Sequence, residues 1–141
     1  MDYKKYVDNK SPKPNYLKNY ILAFVIGGII CVLGQFILNT YISFGLDKEG
    51  ASTATSITLI LLGAFLTGIG VYDVIGKYGG AGSAIPITGF SNSIVSPAME
   101  FKREGYVLGV GGKMFTIAGP VLVYGIGSSV VVGIIYYFLG K

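Results

Sequence analysis

Histidine and tryptophan are absent from this chain, and cysteine occurs once, at Cys31. Without histidine there is no imidazole metal site, and no Ser/His or Cys/His nucleophile pair can be assembled. A single cysteine closes no disulfide within the chain, so its usage leaves the redox compartment open. Charge is also scarce. Asp, Glu, Lys and Arg make up 13% of the 141 residues, against about 25% in a soluble domain. What fills the chain is apolar: 52% of residues are hydrophobic and the mean hydropathy is +0.63. That balance excludes an ordinary soluble domain and marks an integral membrane protein short enough to form one domain. The net charge is +4, yet five of the eleven basic residues fall within the first 18 positions. The excess therefore reports orientation rather than a nucleic-acid partner.

The pattern predicts an all-α membrane protein in two parts. Residues 1–19 form a basic cytosolic tail, with Pro12 and Pro14 holding 11–15 extended; a membrane-surface helix over 3–7 is the alternative for its start. Residues 20–141 form the membrane domain, with clear spans near 20–44, 57–74 and 119–139, each long enough for a ~30 Å hydrocarbon core. The connection 45–56 is polar, and its one basic residue, Lys48, stands between Asp47 and Glu49. By the positive-inside rule it lies on the non-cytosolic face. Residues 106–118, carrying Lys113, suit the membrane interface.

Each span carries a stripe at helical spacing. In the first, Gly27, Cys31, Gln35 and Asn39 recur every fourth residue. An amide facing lipid has no partner, so Gln35 and Asn39 are expected to face protein, either as packing glue or as a polar pair along a pore. Gly63, Thr67 and Gly70 in the second span, and Gly125, Ser129 and Gly133 in the last, are small-residue stripes that permit close helix approach.

The remaining chain is arranged around residues 79–105, GGAGSAIPITGFSNSIVSPAMEFKREG. Its first half is apolar, yet Gly79, Gly80, Gly82, Gly89, Pro86 and Pro97 are too many breakers for one straight helix. Irregular backbone at membrane depth is tolerated where it is buried in protein or lines a water-filled cavity, and broken helices point to transport sites. Residues 79–100 therefore form a broken segment that either dips and returns or crosses as a fourth span. Ser83, Thr88, Asn92 and Ser93 are the candidate solute path, with Gln35 and Asn39 as further polar groups. Asp73, Glu100, Lys102 and Arg103 are candidate mouth charges. Asp73 and Lys77, four residues apart, read either as an interfacial ion pair or as a cation-attracting site at a pore mouth. No catalytic pair emerges: Glu100 and Glu104 alternate with Lys102 and Arg103 as a solvated turn, and Gly79-Gly80-x-Gly82 lacks the lysine of a phosphate loop.

These residues carry a resemblance. Lys13-Pro14-x-Tyr16, Gly27-Gly28-x-Ile30-Cys31, Gly34-Gln35, Leu66-Thr67-Gly68-x-Gly70-x-Tyr72-Asp73, the run Gly80-Ala81-Gly82-Ser83-Ala84-x-Pro86-x-Thr88-Gly89-Phe90-x-Asn92-Ser93, Glu100-x-Lys102-x-Glu104-Gly105 and Leu108-Gly109 together resemble the stage V sporulation protein A family. The likeness is greatest to its AC-type members, with AE-type members as the alternative. The resemblance implies a multi-pass protein of the inner spore membrane; the lack of a catalytic pair already argues against an enzyme, and no cofactor is expected. It implies a subunit of a channel or transport complex that moves dipicolinic acid with Ca²⁺ during sporulation and germination, with mechanosensitive behaviour. A non-conducting subunit that anchors the others is the alternative. The partners it implies are the lipid bilayer and the AD and AE-type subunits, in a homo- or hetero-oligomer. It carries over no residue-level site.

Overall fold

The computed structural model describes Tyr6, Val7, Lys10 and residues 15–140, and among these every regular element is helical. The expected extended stretch 11–15 and surface helix 3–7 lie largely outside the described residues. Three helical runs are long and apolar enough to cross a membrane: Tyr16–Ser43, Lys48–Gly68 and Tyr106–Phe138.

The first helix, α1, covers Tyr16–Ser43. It starts four residues before the expected boundary because Asn15 caps it, its side chain accepting from the Lys18 amide at 3.5 Å. Tyr16 and Tyr20 stack on that first turn, 6.5 Å between centroids. At the other end the chain turns through Gly45, φ +91°, and enters α2, Lys48–Gly68.

Two boundaries of the second span differ from expectation. The polar stretch 48–56 is helix rather than connection. Its hydroxyls bond back onto the preceding turn, Thr53 to the Glu49 carbonyl at 3.1 Å and Ser56 to that of Ser52 at 3.0 Å, so they coil without needing water. The span ends at Gly68, not near 74, because Gly70 takes φ +75°, the left-handed conformation that closes a helix.

The broken segment resolves into three pieces. Helix α3 covers Val71–Gly79, α4 is the single turn Ala81–Ala84, and α5 covers Ile87–Glu100 with Pro86 before it. A 3₁₀ turn over Phe101–Glu104 follows. Residues Tyr106–Gly111 then wind wider, the Val110 amide reaching the Gly105 carbonyl five residues back at 3.0 Å. They lead directly into α6, Gly112–Phe138. The stretch 106–118 is thus the start of the last span rather than a separate interfacial piece. Lys113, expected to snorkel, holds its ammonium 4.6 Å from the centre of the Phe101 ring, a cation–π contact that ties α6 to the turn before it.

Packing centres on α2 against α5. A Cβ on Gly63 would stand 2.8 Å from the Thr88 carbonyl oxygen and 3.1 Å from the Ser91 Cβ, so the two backbones touch. Ser91 donates to the Ile60 carbonyl at 2.9 Å. Thr67, one turn beyond Gly63, meets Asn92, one turn beyond Thr88. The contacts share no single offset: 63 to 88 and 67 to 92 differ by 25 residues, whereas 60 to 91 differs by 31, so α5 crosses α2 at the Gly63 approach. On the other side, Gly82 of α4 sits backbone to backbone on Ala23 of α1, with its carbonyl oxygen 3.2 Å from where a Gly27 Cβ would lie.

Candidate functional site

The broken segment folds back on itself and leaves a cleft of about 590 Å³ between its pieces and α6. Tyr72 and Gly76 of α3, Ser83 of α4, and Asn92, Ser93 and Ser96 of α5 line it, with Ile117 and Val121 of α6 opposite. The wall is braced by polar bonds of low exposure. The Tyr72 hydroxyl lies 2.7 Å from the Ser83 carbonyl oxygen and 2.8 Å from Thr88 Oγ1. It has one proton, which the carbonyl takes, and the Thr88 hydroxyl completes the chain. Thr67 Oγ1 lies 2.7 Å from the Gly63 carbonyl oxygen and 2.9 Å from the Asn92 side-chain amide. One end of that amide is thus held by α2 and the other is left for the cleft. Pro97 has no N–H, which removes the i+4 donor from the Ser93 carbonyl.

The expected path residues divide. Asn92, Ser93 and Ser83 come together in the cleft, although the Ser83 hydroxyl donates to the Gly80 carbonyl at 2.9 Å and that of Ser93 to the Phe90 carbonyl at 2.7 Å. Thr88 is buried behind it, at the edge of a second, apolar cavity. Gln35 and Asn39 are elsewhere. Gln35 Nε2 donates to Asn39 Oδ1 at 2.9 Å on the exposed face of α1, so this chain alone does not bury them. Asp73, Glu100, Lys102 and Arg103 are all exposed, and no ion pair joins Asp73 to Lys77. Among the small residues, Gly27, Gly63 and Thr67 lie at helix contacts, and Gly70 makes the turn. A Cβ at Gly125 or Gly133 would meet nothing within 4 Å, and Ser129 is exposed.

Sequence reasoning missed Tyr72 as a wall residue. Tyr72 reads as a belt aromatic because it adjoins Asp73 and Lys77; only its phenol's partner, eleven residues on, reveals the other role. Among the described residues no group of three or more His, Cys, Asp or Glu side chains is placed to hold a metal ion.

Residues 19–135 match the model of the SpoVAC/SpoVAEB sporulation membrane protein family. The chain belongs to that family. One relative is the stage V sporulation protein AC of Bacillus subtilis (strain 168), 48% identical over 141 residues, covering 99% of this chain and 94% of the relative. No solved structure matches. The family assignment makes the three apolar runs membrane spans of a sporulation protein, and it places the cleft in a protein whose surroundings are lipid.

Proposed function

We propose that this protein is a subunit of the channel or transport complex that moves dipicolinic acid, with Ca²⁺, across the inner spore membrane. Uptake occurs in the developing spore and release at germination, with membrane tension as the gating stimulus. The observation that carries this reading is the cleft. It is a hollow of solute size, walled by a Gly/Pro-broken segment, presenting the free end of the Asn92 amide and the Ser96 hydroxyl, with Ser93 Oγ as an acceptor. Weak, exchangeable hydrogen bonds suit passage rather than retention. Lys102 and Arg103 at the end of α5 raise the local concentration of a dicarboxylate, and Asp73 with Glu100 does the same for Ca²⁺. The calcium travels as cargo.

Three spans enclose no pore by themselves. The complete path therefore needs further copies or the AD and AE-type subunits, and the exposed Gln35/Asn39 pair supplies a polar face for one such neighbour. Residues 79–100 either dip and return, which keeps the 100–104 charges on the cytosolic, spore-core side with Asp73, or cross as a fourth span, which puts those charges on the other side.

The test is dipicolinate flux through proteoliposomes containing the assembled subunits. Asn92→Leu should abolish most flux with assembly intact. Normal flux with Asn92→Leu would assign the chain the non-conducting, anchoring role instead.

A further inference from the structure

The cavity on the far side of Tyr72 is of a different kind. It has a volume of about 450 Å³ and is walled by aliphatic side chains of α1, α2 and α3, with the Tyr72 ring and Thr88 at its back. It is open sideways: Ile29, Leu33 and Tyr78 on its rim are 56%, 54% and 56% exposed. In a membrane protein that opening faces lipid. Along α1 the lining runs from Ile26 to Ile37, about 16 Å at 1.5 Å per residue, or roughly half of a ~30 Å hydrocarbon core. The cavity is therefore as deep as one leaflet.

Its two ends differ. Ile37 and Leu59 close the deep end. At the other end Gly79 abuts Ile26 and Tyr78 lines the slot, with Lys77 next to it in the chain, just outside the lining. Lys77 is exposed and makes no ion pair. An ammonium with no partner beside a dry, leaflet-deep slot is complementary to one ligand class: an apolar chain with a negative group at its head.

We infer that this cavity holds one acyl chain of a phospholipid from the cytosolic leaflet, with the lipid phosphate on Lys77. Asp73, one turn earlier on the same helix edge and also without an ion pair, accepts from a headgroup ammonium. An aminophospholipid thus satisfies both charges where an anionic lipid satisfies one. Water gains no hydrogen bonds in such a slot, whereas each buried methylene is favourable where aliphatic walls replace looser lipid packing. Tyr72 walls both this slot and the polar cleft, so the lipid packs against the face of the ring that the cleft does not use.

The experiment uses the full chain in liposomes with phosphatidylethanolamine carrying a photoreactive diazirine in its acyl chain, followed by mapping of the labelled residues. Labelling concentrated on the half-buried Ile30, Leu59 and Ile75, and reduced several-fold by Leu33→Trp, which fills the slot from its exposed rim, supports the site. Labelling spread over the exposed surface of α6 with none in the slot overturns it. Lys77→Gln lies on the surface and should lower co-purified phosphatidylethanolamine several-fold by native mass spectrometry. Unchanged retention would overturn the headgroup assignment and the bound phospholipid with it.

Discussion

The hydroxyl of Tyr72 lies 2.7 Å from the carbonyl oxygen of Ser83, and both residues are buried. This bond ties the start of the broken segment to its middle. Tyr72→Phe leaves that carbonyl and the Thr88 hydroxyl without their shared partner, at a cost of about 1–3 kcal/mol for a buried polar group left unmade. Thermal unfolding in detergent should show a lower midpoint for Tyr72→Phe. An unchanged midpoint would mean that water replaces the phenol, and the wall is wetter than described.

Close approach at Gly63 separates it from Gly133. Any side chain at Gly63 meets the Thr88 backbone, whereas one at Gly133 meets nothing in the chain. Gly63→Leu should therefore destabilise the single chain by a few kcal/mol, as overpacking does when the obstacle is backbone. Gly133→Leu should leave the isolated chain intact and act only on assembly. Equal proteolytic resistance of the two variants would refute the close packing of α2 on α5.

Topology is open to labelling. Single cysteines at Lys10 and Lys48, in a Cys31→Ser background, should label with a membrane-impermeant thiol reagent from opposite faces, and labelling from one face would refute the crossing by α1. A third cysteine at Lys102 separates the two courses of residues 79–100: labelling with Lys10 makes them re-entrant, and labelling with Lys48 makes them a fourth crossing.

The Gln35–Asn39 pair predicts a neighbour. Each amide satisfies only one group of the other, so in lipid the remaining donors and acceptors cost free energy until a second chain meets them. Replacing both by Leu should leave unfolding of the single chain unchanged and weaken recovery of the assembled complex. Full recovery would show that this face is turned to lipid.

The solute path is open to direct probing. Cysteines placed singly at Asn92, Ser93 and Ser96 should react with a water-soluble thiol reagent, and dipicolinate should protect them. A cysteine at Thr88, buried behind the Tyr72 hydroxyl, should react far more slowly. Uniform inertness at all four positions would move the path away from the cleft.

The sequence by itself determined the membrane class, three helical runs long and apolar enough to cross, and the place where regular helix fails. These follow from composition, apolar length and the spacing of breakers, quantities that add along a chain without reference to what it packs against. It also carried the family, because the runs around Gly80–Ser93 are long and specific. The helix ends were less legible. The hydroxyls of 48–56 can serve a loop or a helix equally, and only the bonds to Glu49 and Ser52 decide. What the tertiary structure alone decided was which polar residues share a space. Glycines at 63 and 82 let backbones touch, and that close approach brought Asn92 and Ser93 to Tyr72 while leaving Gln35 and Asn39 outside. Spacing on one helix reports a face, but which face meets which depends on contacts between residues 25 apart, and no local pattern encodes them.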